Sequence, residues 1–251
     1  MRLRTALTVA GLFSTLAMAG CTTTSQTDPQ KTAAITPAVA PKTETATLKS
    51  ALVEPASSEK PITDTADILP NGYGPVTDNG FNLPAIPINR VKPQFRRQIV
   101  AYQTTENPGT IVVNTKERFL YYVLGDGKAI RYGIGVGKQG FAWAGEAHVA
   151  WKQEWPNWHP PKEMAVRKPE VAQYVEKGMG PGLSNPLGAR AMYLFDNNNK
   201  DTLFRIHGTP EWASIGTAAS SGCIRMMNQD VIDLYSRVLP GKETKVIVQQ
   251  S

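Results

Sequence analysis

Cysteine and histidine are scarce in this chain, with two of the first and three of the second among 251 residues. Cys21 lies in an N-terminal leader and Cys223 far downstream, so the pair is not read as a disulfide. Cys223 has only His207 nearby in sequence, and His148 and His159 stand in no ligand-like spacing to either. One Cys and one His fall short of a ligand set, so no metal and no other cofactor is expected. Also missing are Lys/Arg-rich runs interleaved with aromatics, which argues against a nucleic-acid partner. The formal net charge is modest, at +6. Without residues 1–20 it becomes +4, from 25 basic and 21 acidic residues.

What is present centres on Ile206-His207-Gly208-Thr209 and Ser220-Ser221-Gly222-Cys223-Ile224-Arg225-Met226. His207 and Cys223 are sixteen positions apart, each beside a glycine, and one return of the chain brings them together. A thiolate is a strong nucleophile, and a nearby imidazole takes its proton and later returns it. An imidazolium favours the thiolate, so Cys223 is expected to titrate below a free thiol. Gly222 has no Cβ and lets the backbone turn sharply, so that N–H groups around Gly222 and Cys223 can hold an oxyanion. A lone cysteine is also commonly a small buried hydrophobe, and spacing alone leaves both readings open. Arg225 suits bidentate pairing with a carboxylate, or equally bonding to backbone carbonyls that shape the loop.

The pattern His-Gly, spacer, Ser-x-Gly-Cys-Ile-Arg resembles the signature of the L,D-transpeptidases with the YkuD-type catalytic domain. The resemblance extends upstream through Thr110-Ile-Val-Val-Asn114, Phe119-Leu-Tyr-Tyr-Val123, Gly133-Ile-Gly-Val-Gly137 and Pro186-Leu-Gly-Ala-Arg190. Many members read Ser-His-Gly-Cys, whereas this chain has Ser221 at that histidine. The resemblance implies Cys223 as nucleophile, His207 as base, Ser221 and Gly222 at the oxyanion backbone, and Arg225 and Gly208 toward substrate. It implies peptidoglycan as the partner, cut between the third stem residue and terminal D-alanine through a thioester. A second stem as acceptor gives a 3–3 cross-link, an envelope protein becomes anchored to the wall, and water makes a carboxypeptidase. The remaining alternative is a non-catalytic wall-binding lipoprotein. A modest positive balance suits an anionic wall polymer, although solubility alone would explain it.

Organisation divides into 1–20, 21–95 and 96–251. Arg2 and Arg4 precede Ala6–Met18, an apolar stretch too brief to span a bilayer stably. Met18-Ala19-Gly20-Cys21 resembles a lipobox, which implies export, a lipid on Cys21 and a periplasmic, membrane-anchored protein. Thr22 rather than aspartate after the cysteine resembles the outer-membrane sorting pattern. An ordinary signal peptide cut near Ala19 is the other reading. Residues 21–95 are rich in Thr, Ala and Pro and poor in large apolar side chains, and read as a disordered tether. Asn71-Gly-Tyr-Gly-Pro75 and Asp78-Asn-Gly80 are turn signals within it.

Residues 96–251 suffice for one domain with a core. Thr110–Val113, Phe119–Leu124, Ala129–Tyr132, Ala147–Lys152, Ala191–Phe195, Leu203–His207 and Lys245–Gln249 read as strands. Gly125-Asp126-Gly127 is a hairpin turn. One helix is expected over Lys162–Lys168, and a second after Asn228 as N-cap, with Val231, Leu234, Tyr235 and Val238 as its buried stripe. The expected fold is mainly β, a sandwich or barrel-like catalytic domain with a few short helices, and the family resemblance favours the sandwich. Trp151, Trp155 and Trp158 surround prolines and read as a satellite core or as a surface that stacks on sugar rings. Gly178–Gly188 reads as a flexible loop.

Overall fold

The computed structural model describes residues 72–137, 143–218 and 223–250. Cys21, Ser221 and Gly222 lie outside the described residues, as do the leader and most of the expected tether. Strands β1 (Val76–Asp78) and β2 (Phe81–Leu83) form a small antiparallel hairpin that turns at Asn79 and Gly80, both at positive φ. There follow β3 (Gln98–Ala101), β4 (Ile111–Asn114), β5 (Phe119–Gly125), β6 (Lys128–Gly133), β7 (Gly135–Val136) and β8 (Gly145–Glu154). Two short helices come next, α1 (Lys162–Arg167) and α2 (Tyr174–Lys177). After them run β9 (Arg190–Phe195), β10 (Asp201–Thr209), β11 (Ile224–Met227), α3 (Asn228–Arg237) and β12 (Lys245–Gln249).

Ten strands make one sheet in the order β3-β6-β5-β4-β12-β8-β9-β10-β11-β7. β6 and β7 are neighbours in sequence across Ile134, yet they lie near opposite ends of that order. A chain can pass between them only if the sheet curls until its ends meet. The core agrees: Tyr132 of β6, Val136 of β7, Ile224 of β11 and Met192 of β9 belong to one buried cluster. The domain is therefore mainly β and barrel-like, as the alternation of apolar side chains requires when one face turns inward.

Helix α3 closes the cluster with Val231 and Leu234, both fully buried. Each such side chain contributes roughly 1.5–3 kcal/mol relative to exposure. Asn228 is not the N-cap. The helix starts at Asn228 itself, and its Oδ1 accepts the Ala189 N–H at 2.9 Å. A buried amide hydrogen needed a partner there, and this long-range demand prevailed over local capping.

The expected tether boundary at residue 95 is also corrected, because 72–95 is a strap packed on the domain. Its large apolar residues are few but each is used. Phe81 stacks on Trp155 with centroids 4.1 Å apart, Leu83 is buried, and Phe95 joins Val91, Ile215 and Met227 in a satellite core. Asp78 accepts from Trp155 Nε1 at 2.7 Å and from both Arg190 terminal nitrogens at 2.6 and 2.8 Å. Such docking, one side chain at a time, leaves no period for a sequence reading to find. Five strands escaped that reading, β1, β2, β3, β7 and β11, all of two to four residues.

Tyr73 pins the strap by donating to Asp230 Oδ2 at 3.2 Å while accepting the Arg97 N–H at 2.6 Å. Arg97 pairs with Asp233 at 2.9 Å but stands 3.8 Å from Asp230. Asp230 is fully buried, and burial pushes its carboxyl up to about 7 although Arg97 and the Tyr73 hydroxyl pull it down. A carboxyl raised in the folded state holds a proton that the unfolded chain has lost, so its contribution fades as pH rises through about 7. The Tm of the full chain should accordingly fall more between pH 5 and 8 than that of Asp230→Asn. Equal falls would mean that Asp230 stays ionised against Arg97.

Candidate active site

Strands β10 and β11 are parallel, with Ile206 opposite Ile224 and His207 opposite Arg225. Alternate side chains of a strand share a face, and neighbouring strands lie about 4.8 Å apart. Ile206, Ile224 and Met226 point into the core cluster. The odd-numbered set, Arg205, His207, Cys223 and Arg225, is thereby placed on the opposite face. Cys223 sits immediately before β11, two residues from Arg225, so the strand holds it from the C-terminal side.

His207, Cys223 and Arg225 line one cavity of about 310 Å³. Its other walls come from Trp158, Met164 of α1, Lys168, Glu170 and Val171 of the following turn, Met179, Ser184, Pro186 and Leu187, and Thr209, Pro210 and Glu211. The 178–188 segment, expected to be flexible, is pinned. Trp158 and Met179 exchange backbone hydrogen bonds at 2.9 and 2.7 Å, and buried Asn185 donates to the Pro156 and Gly180 carbonyls at 2.9 and 3.0 Å. The three tryptophans have separate roles. Trp155 is satellite core, Trp158 is cavity wall, and Trp151 stacks on Tyr193 at 3.5 Å.

The His207 ring is buried, and its Nδ1 lies 2.6 Å from the Gly208 carbonyl oxygen. A carbonyl only accepts, so Nδ1 carries the hydrogen and Nε2 keeps a lone pair. Burial lowers His207 to about 4, against the opposing Gly208 hydrogen bond and with help from Arg225 and Arg205. Burial likewise raises Cys223 above an ordinary thiol, although a backbone hydrogen bond with Arg205 and the Arg205 and Arg225 guanidiniums pull the other way. The expectation of a depressed thiol is thus corrected. The resting pair is a neutral thiol and a neutral imidazole, because the low-dielectric site disfavours both ions more than the guanidiniums favour the thiolate.

Arg225 is buried, with Nε and one terminal nitrogen lacking a hydrogen-bond partner among the described residues. The other terminal nitrogen reaches Glu211 at 3.5 Å. Gly135 makes room for it, since a Cβ there would come within 3.0 Å of the guanidinium. Gly208 does not line the cavity. A Cβ on it would strike Asn228 Oδ1 at 2.3 Å, so the glycine serves close packing against α3 and its carbonyl orients His207. Arg205 was missed by the sequence reading, although period two from His207 points to it. Asp201 holds it bidentately at 2.7 Å, and it lies 4.6 Å over the Tyr193 ring.

Residues 108–248 match the family model described as the YkuD L,D-transpeptidase catalytic domain. The chain belongs to the YkuD L,D-transpeptidase family. Two Escherichia coli (strain K12) relatives are a probable L,D-transpeptidase ErfK/SrfK, 34% identical over 55% of this chain and 44% of its own, and a probable L,D-transpeptidase YcfS, 28% identical over 70% and 52%. The chain spans about half the length of the curated relatives it matches. A solved Brucella melitensis structure, described as a probable carnitine operon oxidoreductase, is 52% identical over 61% of this chain and 94% of that one, with TM-score 0.44. At that score the likeness carries no weight for fold or function.

For this YkuD-family domain the ionisation pattern sets two pH profiles. Alkylation of Cys223 should be slower than that of free cysteine at pH 7 and should climb through the alkaline range. Acylation should keep its acidic limb near 4, where His207 would become protonated, instead of near the ordinary 6.5. Fast labelling at pH 6 to 7, or an acidic limb at 6.5, would show a thiolate–imidazolium pair instead.

Proposed function

We propose that this YkuD-family domain is a peptidoglycan L,D-transpeptidase that works through a Cys223 acyl-enzyme. The observation that carries the reading is the meeting of Cys223, His207 and Arg225 in one cavity, on the face that parallel pairing gives them. As the Cys223 thiol attacks the carbonyl carbon of the third stem residue, His207 Nε2 takes the thiol proton. The tetrahedral oxyanion forms beside the Arg205 and Arg225 guanidiniums, whose positive charge lowers its energy. Imidazolium then returns the proton to the leaving amine, D-alanine departs, and a thioester remains. An acceptor amine attacks that thioester, giving a 3–3 cross-link with a second stem or an anchored envelope protein.

Arg225 supplies the donor contact. Its guanidinium lines the cavity, and a substrate carboxylate there would gain charge-assisted hydrogen bonds from it. Export, a lipid on Cys21 and residence in the periplasm, on the outer membrane, complete the proposal; they rest on the leader's resemblance to lipoprotein signals. No helix among the described residues is long and apolar enough to cross a membrane.

The test is turnover of purified tetrapeptide and pentapeptide stems by the full chain, with and without an acceptor amine. Tetrapeptide should release D-alanine and yield a cross-linked product, and pentapeptide should not. Arg225→Ala should lower donor use about tenfold or more, for loss of one charged contact, while leaving thiol alkylation within about twofold. Release without cross-linking at any acceptor concentration would make the protein a carboxypeptidase. Absence of release would sink the enzymatic reading, and a mature N-terminus without acyl mass would sink the lipid anchor.

A further inference from the structure

The strap before the matched family region touches three parts of the fold around the catalytic cysteine. Its hairpin grips Trp155 and Arg190 through Asp78 and Phe81, at the base of the wall that carries Trp158. Its middle holds the first turn of α3, where Gln229 Nε2 donates to the Gly74 and Pro84 carbonyls at 3.3 and 3.0 Å. Its end braces the segment between His207 and Cys223. Phe95 lies so close to Gly216 that a Cβ there would meet the ring at 2.3 Å, and Arg90 sits 5.3 Å over Trp212. Val91 and Phe95 share one buried cluster with Ile215, eight residues before Cys223, and Met227, four residues after it.

We infer that residues 73–95 are a clasp that positions Cys223 for attack, with Phe95 and Arg90 as its positioning residues. The inference rests on the acyl-transfer reading but concerns a segment outside the matched residues 108–248. Local secondary structure fixes little of the approach to the cysteine, because residues 210–218 contain only the three-residue 3-10 turn Trp212–Ser214. That turn takes its footing from two sides. Gly216 N–H donates to the Ile134 carbonyl at 2.9 Å, and the Phe95 ring covers Gly216 and Ile215. Release of the second footing lets the segment shift against His207, and a displacement of about 1 Å at a reacting atom costs up to about a hundredfold in rate. Arg90 is exposed, so its removal leaves the core intact.

Full-length wild type, Phe95→Leu, Arg90→Ala and Arg90→Lys separate positioning from mere stability. Each is assayed well below its own Tm by amide hydrogen exchange of peptides covering 211–227 and by steady-state turnover of tetrapeptide donor. Faster exchange in that segment for Phe95→Leu and Arg90→Ala is expected, with kcat down about tenfold, KM within about twofold and partial recovery in Arg90→Lys. Unchanged exchange, or unchanged kcat in both variants despite a lower Tm, would overturn the clasp. A raised KM at constant kcat would overturn it too. If wild type shows no turnover while exchange rises in the variants, the clasp as a brace stands and the fault lies in the acyl-transfer reading.

Discussion

Parallel, in-register pairing of β10 with β11 is the constraint on which the site depends. It aligns His207 with Arg225, sends Ile206, Ile224 and Met226 into the core, and leaves His207, Cys223 and Arg225 facing the cavity. A slip of one residue would exchange these faces, turning two arginines toward the apolar core and the isoleucines away from it. The core therefore enforces the catalytic register through ordinary hydrophobic burial. Gly208 is part of the same constraint, because only a residue without Cβ fits beneath Asn228 while its carbonyl holds the His207 ring.

Burial sets the electrostatics. The pair rests uncharged, and in the proposed reaction charge develops only when a carbonyl arrives to receive it. Arg205 and Arg225 do not overcome the desolvation of Cys223, and they add to that of His207. Their positive field is instead available to an oxyanion or a carboxylate, which brings its own compensating interactions. Asp201 and Tyr193 fix Arg205 in place, whereas Arg225 keeps two nitrogens unpartnered among the described residues. The first shapes the field, and the second is the proposed carboxylate contact.

Much of this was legible in the sequence. The strands with strong β-branched and aromatic alternation, such as Phe119–Gly125, were visible, as was α1. The Cys223–His207 pair and Arg225 stood out through their motif. What remained hidden has physical reasons. β11 is four residues long and carries a buried arginine, so it shows no apolar run. Asn228 has the chemistry of a cap but spends it on a distant amide. The strap anchors through isolated side chains against partners far away in sequence. The thiol's direction of titration depends on burial, which residue identity does not disclose.

Trapping of the intermediate tests the central claim most directly. Full-length protein is mixed with tetrapeptide donor in the absence of acceptor amine, quenched in acid and read by intact-protein mass spectrometry with peptide mapping. The account requires a mass increase equal to the stem tripeptide acyl group, located on Cys223 and absent from Cys223→Ala. It also requires slower formation of that adduct in His207→Ala, since the thiol proton then has no acceptor on the neighbouring strand. An adduct that persists in Cys223→Ala, or D-alanine release with no adduct at any time point, would contradict the cysteine acyl-enzyme.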